Sequence, residues 1–275
     1  MTEFETLRFA QADHVAHLVL HRPDRLNAFT PTMWGELRAL GRTLLADPGD
    51  IRALVVRGEG RAFSSGIDTS VFADRVRVES LADDAAPRHD DPAVDAILAA
   101  QESYNWLAEA PFVTIAAVHG YALGAGLQIA LACDVRVVAR STQLGLLELT
   151  YGILPDFGGT QRLPRLVGPG KAMEFIATAA RIDADEARRI GLVERVVGED
   201  DLLEAADALA AHIAAQPPLA VRGAKRAVHA ALDGRSVRDG LVVEAEAQAV
   251  CLASSDFDEA ITAFVERRPA VYRGE

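Results

Sequence analysis

Glu148 and Asp156 are two carboxylates that stand among apolar residues, a setting that bears on proton chemistry. Both stand in Gly145-Leu-Leu-Glu-Leu-Thr-Tyr-Gly-Ile-Leu-Pro-Asp-Phe-Gly-Gly-Thr160, a glycine-punctuated stretch with Leu146, Leu147 and Leu149 around the glutamate. Apolar surroundings disfavour a charged carboxylate and raise its pKa toward the range in which a general base works. An aspartate after proline is also an ordinary turn residue, so Asp156 keeps two readings at this point. The second candidate is Phe112 to Asp134. It is an apolar, β-branched run after Pro111, then Gly120, Gly124 and Gly126, then Leu127, Ile129, Ala130 and Leu131. That pattern predicts a buried strand turning on glycine into a small-residue helix. The first N–H groups of a helix have no partner within it and lie at the positive end of its dipole. Aimed at a bound oxygen, they would stabilise developing negative charge, as an oxyanion hole requires. The same glycines serve close strand–helix packing, and the spacing alone supports both readings.

Other combinations are weaker. Ser64, Ser65 and His119 are the raw material of a serine hydrolase. However, Phe63-Ser64-Ser65-Gly66 is not a G-x-S-x-G elbow, and His119 precedes a tight turn with no evident group to orient it. Gly168-Pro-Gly-Lys171 lacks the phosphate-loop spacing. Cys133 and Cys251 stand far apart and read as reduced core thiols, and no His/Cys cluster points to a metal.

These groups need a scaffold, and the chain is long enough for one. Its 275 residues are half hydrophobic and a quarter charged, with a formal charge of −12 that argues against nucleic-acid binding. An anionic ligand would have to be met by local arginines. The first residues show no signal peptide, and no apolar run approaches the roughly 20 residues of a membrane helix, so a cytoplasmic protein is expected. Strands are predicted at Val15–Leu20, Ile51–Val56, Val135–Ala139 and Leu192–Val197. A helix follows the Thr30-Pro31 cap, with Trp34, Leu37, Gly41 and Leu44 in period. Strands alternating with helices imply the α/β class. Residues 70–95 are acidic and read equally as a solvated excursion or a lid. Beyond residue 200 the pattern is helical, which places a boundary between residues 1–200 and 201–275 and leads us to expect an oligomer.

Three motifs then stand together: Arg61-Ala-Phe-Ser-Ser-Gly-Ile-Asp68, His119-Gly-Tyr-Ala-Leu-Gly-Ala-Gly126 and Gly158-Gly-Thr-Gln-Arg-Leu-Pro-Arg165. In this order they resemble the signatures of the crotonase superfamily, which contains the enoyl-CoA hydratases and isomerases. The resemblance runs from Asn27 to Phe264-Val-Glu-Arg-Arg268. It implies a crotonase-like spiral of ββα repeats with a C-terminal helical oligomerisation domain, assembled as trimers or dimers of trimers. It implies an oxyanion hole from the amides of Ser65 and Ala125, with alanine where glycine is usual. Coenzyme A, carried in as part of the substrate and with no separate cofactor, would lie along Arg25, Leu26 and Ala28 and the edge Ser65, Gly66, Ile67 and Asp68. Phe264 and Arg267 of a neighbouring subunit would reach its phosphate end. Arginine suits a phosphate, and at Arg267 it equally suits a helix C-terminus.

By the same resemblance, the two glutamates with which family hydratases activate water fall on Gln128 and Glu148. An amide orients a water but accepts no proton as a base. Glu148 is therefore the expected proton carrier, with Asp156 where related isomerases and a dehalogenase have a functional aspartate. The expectation leans to double-bond isomerisation of an unsaturated acyl-CoA through a stabilised enolate. Hydration, with Gln128 and Glu148 positioning the water, is the close alternative. A non-catalytic acyl-CoA-binding protein and a serine hydrolase on a related fold follow.

Overall fold

The computed structural model describes residues 4–73 and 88–275. Of the acidic stretch expected over 70–95, residues 74–87 lie outside the described residues. Among those described, the strands in chain order are β1 (Leu7–Ala12), β2 (Val15–Leu20), β3 (Ala53–Gly58), β4 (Val113–Val118), β5 (Tyr121–Leu123), β6 (Val135–Ala139), β7 (Gln143–Gly145), β8 (Arg181–Asp183) and β9 (Arg195–Val197). The helices are α1 (Pro31–Ala46), α2 (Thr69–Ala73), α3 (Pro92–Glu109), α4 (Ala125–Ala132), α5 (Gly159–Val167), α6 (Pro169–Thr178), α7 (Ala184–Arg189), α8 (Leu202–Ala214), α9 (Pro218–Leu232), α10 (Val237–Leu252) and α11 (Ser255–Glu266). None of the described helices is long and apolar enough to cross a membrane.

The large sheet runs β1-β2-β3-β4-β6-β9, antiparallel between β1 and β2 and parallel thereafter. Parallel strands need crossovers, and those crossovers cover both faces of the sheet. This is why β3, β4 and β6 read as mostly apolar, interrupted only by Arg57, Thr114 and Arg136. Val55, Ile115 and Val137 pack against Leu202, Ala206 and Ala210 of α8 on one face. Leu54, Val56, Ala116 and Val138 face the main core, with Leu37, Tyr104 and Leu127. So α8, just past residue 200, covers the spiral's own sheet. The Lys225 ammonium on α9 is tied to the same body, donating to the Phe112 carbonyl at 2.9 Å and to Asp134 at 2.7 Å.

The small sheet, β5-β7-β8, is lengthened by single bridges from Ser64 to Ala122 and from Phe29 to Ile67. Each turn of the chain thus lays one long strand in the large sheet and one short segment in the small one before entering a helix. That is the ββα spiral. The short segments lie beyond period-2 reasoning, because three residues show no alternation; β5, β7 and β8 were invisible for that reason. The expected strand at Leu192–Val197 is likewise only Arg195–Val197.

Helix α1 starts as its sequence predicts. The Thr30 hydroxyl caps the Met33 amide at 3.3 Å and Pro31 occupies the first turn. Gly41 lets it approach α3 closely, since a Cβ there would lie 2.4 Å from the Trp106 ring. Overpacking of this kind costs about 1–3 kcal/mol, more than the gain of up to about 1 kcal/mol in helix propensity. Gly41→Ala should therefore lower stability in urea unfolding; a higher midpoint would contradict the packing described.

Candidate active site

Two segments meet at the site. The first is the turn Arg22–Phe29 with the edge Ser64–Asp68. Asn27 is wholly buried with φ of 54°, and its amide nitrogen donates to the carbonyls of Glu59 at 2.9 Å and Ala62 at 2.8 Å. Its own carbonyl accepts from the Ser64 hydroxyl at 2.8 Å. Gly66 has φ of 100°, and a Cβ there would sit 2.8 Å from the Leu123 carbonyl. The second segment is the β5–α4 turn, where Gly124 (φ 51°) leads into the first residue of α4, Ala125.

Hydrogen bonding decides which amides are available. The Ser64 N–H donates to Tyr121 at 2.8 Å and the Ser65 N–H to Leu26 at 2.9 Å. The Gly66 N–H is taken by the Ser64 hydroxyl at 3.2 Å. In the bridge to Phe29, the bonds run through Gly66 and Asp68 and leave Ile67 pointing the other way. Neither the Ile67 nor the Ala125 N–H has an acceptor among the described residues. The expectation for Ser65 is therefore corrected. Its amide is spent on Leu26, and the free pair is Ile67 and Ala125. Strand alternation two residues along the same motif carries this signal, once the Phe29 bridge is known.

Ser65, Gly66, Ile67, Leu123, Gly124 and Ala125 line a cleft of about 50 Å³ together with Leu147, Glu148, Tyr151 and Ile153. Glu148 is only 4% exposed. Its Oε1 accepts from the Gln128 amide at 2.7 Å, whereas its Oε2 is buried with no hydrogen-bond partner among the described residues. Gly124 makes room for it, because a Cβ there would lie 3.2 Å from Oε1. Burial pushes the Glu148 carboxyl above the usual glutamate range; the Gln128 donation opposes this and the Asp156 charge adds to it. Burial also raises Asp156. Gln128 is committed at both ends, since its Oε1 accepts from the Gly159 amide at 3.0 Å. It clamps Glu148 to the start of α5. Beneath this lies an aromatic floor in which Phe157 stacks on Trp34 and leans on Tyr104, centroids 5.0 Å apart in each pair.

The remaining expected residues fall as follows. Arg25 is exposed, Leu26 half-buried and Ala28 buried along the turn. Asp68 is held below the usual carboxylate range: burial acts to raise it, but Ser70 and Arg22, at 2.9 Å, outweigh that. Phe264 and Arg267 lie exposed at the end of α11 and do not line the cleft. The hydrolase reading loses its parts. Ser64 is tied to backbone, and the His119 ring is hydrogen-bonded to the Gly60 carbonyl at 2.9 Å, so no serine–histidine pair forms among the described residues.

Residues 10–275 match the family model described as enoyl-CoA hydratase/isomerase. The chain is 34% identical over 268 residues to the crotonyl-CoA hydratase of Syntrophomonas wolfei, covering 97% of each. An enoyl-CoA hydratase from Bacillus anthracis superposes with a TM-score of 0.88 at 34% identity, over 98% of this chain and 100% of that one. A Thermobifida fusca YX protein crystallised in complex with CoA superposes with a TM-score of 0.79 at 40% identity, over 90% of this chain and 93% of that one. The chain belongs to the enoyl-CoA hydratase/isomerase family and has the crotonase fold.

Raised carboxyl pKa values carry a stability cost. A carboxyl whose folded pKa lies above its unfolded value favours folding when protonated and loses that stabilisation as pH rises through the folded pKa. Asp156→Asn and Glu148→Gln should therefore melt above the parent at pH 8, with the gap closing as pH falls toward about 4. A gap that widened on acidification would contradict the burial assigned to these groups.

Proposed function

We propose that this member of the enoyl-CoA hydratase/isomerase family acts on an unsaturated acyl-CoA thioester and moves a carbon-bound proton through Glu148. The thioester oxygen lies between the amides of Ile67 and Ala125. Glu148 Oε2 takes a proton from C2 of a 3-enoyl thioester, and the C–H electron pair moves into the carbonyl to give a dienolate. The two amides stabilise that oxygen, each such donor being worth on the order of 100- to 1000-fold in rate. The same carboxyl returns the proton at C4, and the double bond settles between C2 and C3. Nothing is consumed, and CoA enters and leaves with the acyl group. Asp156 is the second carboxyl available to share the shuttle.

The observation that carries this reading is the buried, unpartnered Oε2 of Glu148 in a cleft that also holds two free amides. Gln128 favours isomerisation over hydration, since it supplies no second base and both ends of its amide are engaged. Hydration remains the second reading, favoured by a relative named crotonyl-CoA hydratase. In that reading Glu148 alone relays the proton of the added water. Assembly as a trimer or dimer of trimers belongs to the same proposal. The apolar side chains exposed on the C-terminal helices, among them Val237, Leu241, Phe264 and Val265, support it.

Glu148→Gln should lower kcat by about 100- to 10,000-fold while acyl-CoA affinity stays within about threefold, because the neutral amide keeps the shape. In deuterated water the parent should place deuterium at C2 and C4 of the acyl chain. Hydroxyacyl product without isomerised product would reverse the order of the two readings.

A further inference from the structure

The two free amides of the cleft belong to peptide units whose carbonyls are occupied. In a trans peptide the C=O and N–H point in opposite directions. A donor that holds the carbonyl therefore aims the amide on the other side and polarises it. For Ala125 that donor is helix α4 itself, since the Gly124 carbonyl accepts from the Gln128 N–H at 3.0 Å. For Ile67 the arrangement is longer. The carbonyl of its peptide, on Gly66, accepts from the Phe29 N–H at 2.8 Å. The carbonyl of that second peptide, on Ala28, accepts in turn from the Arg22 guanidinium. Two peptide units thus stand in series between a fixed positive charge and the free Ile67 N–H.

Arg22 is held at both ends. Its backbone N–H donates to the side-chain oxygen of the buried Asn27 at 2.8 Å, and its carbonyl accepts from the Asn27 N–H at 2.9 Å. The guanidinium nitrogen that meets Ala28 also donates to Asp68 at 2.9 Å. The other oxygen of that carboxylate accepts from the Ser70 N–H at 3.1 Å and the Ser70 hydroxyl at 2.9 Å.

We propose that Arg22 is a positioning residue of the oxyanion hole, acting through the Ala28–Phe29 and Gly66–Ile67 peptides to strengthen donation from the Ile67 N–H. The inference rests on the reading that the thioester oxygen lies between Ile67 and Ala125. A hydrogen bond from an ionised donor is about twice as strong as a neutral one, and each bond in a chain strengthens its neighbour by about 10–30%. A donor worth about 100- to 1000-fold then owes about 2- to 8-fold of its effect to the relay. Because charge grows on the oxygen as the enolate forms, that gain falls more on kcat than on KM.

The test reads the carbonyl stretch of bound butyryl-CoA labelled with ¹³C at the thioester carbonyl. Arg22→Met keeps the stem and removes the charge. It should move the stretch part of the way back to its solution frequency and lower kcat by about 2- to 8-fold. Arg22→Lys keeps the charge and should restore most of both. In the unmutated protein, binding of the same thioester should move the Phe29 amide proton downfield, because filling the last acceptor strengthens the bonds before it. That measurement decides the matter if Arg22→Met fails to fold. An Arg22→Met protein that melts lower but keeps the parent's stretch, or a Phe29 proton unmoved by the thioester, would overturn the relay and leave the oxyanion hole standing. A parent stretch at its solution frequency would remove the hole itself, and the relay with it.

Discussion

The site depends on which backbone amides the fold leaves unpaired. In a β-bridge a residue turns its N–H either toward the neighbouring segment or away from it, and the bridge from Phe29 fixes that choice along Ser64–Asp68. Ser65 faces Leu26, and Ile67 turns away from Phe29 into the cleft that Ala125 of α4 also lines. There the first N–H groups of the helix are unpaired for a separate reason, the absence of a preceding turn. Two unrelated causes therefore present free donors to one cleft. The buried Asn27 holds the geometry by tying the turn at residues 22–29 to Glu59 and Ala62.

Glu148 complements those donors. A buried carboxylate with one oxygen unpartnered is unfavourable in a resting fold, and the surroundings limit that cost without removing it. Gln128 binds one oxygen and fixes the rotamer, and the carboxyl lies beside the positive end of α4, where negative charge is favoured. The other oxygen stays available as a proton acceptor. Because Gln128 also holds the Gly159 amide, the carboxyl and the loop of Asp156 are fixed to the same side chain. The residue that accepts no proton itself holds Glu148 against the loop of Asp156, the two carboxyls to which the proposed function gives the proton.

Much of this was legible in the sequence, for identifiable reasons. The long parallel strands announce themselves as apolar runs, α1 by its cap and period, and Glu148 by the leucines around it. The three motifs carried the crotonase-like fold, which the solved structures share. What escaped was set by contacts between distant segments. Three-residue strands carry no period. The assignment of a donor to Ser65 missed because which way an amide points depends on the Phe29 bridge, 38 positions away at Ile67. The role of Gln128 was hidden likewise, because its partners, Glu148 and Gly159, are 20 and 31 residues along the chain.

The most direct measurement is the infrared carbonyl stretch of a ¹³C-labelled acyl-CoA thioester bound to the protein and to Ala125→Pro, which removes one N–H with little change to the cleft's side chains. Donation from Ile67 and Ala125 predicts a stretch at clearly lower frequency than in water for the parent, with much of that shift lost in the proline variant. A bound carbonyl with its solution frequency in the parent, or one equally shifted in both proteins, would contradict the account.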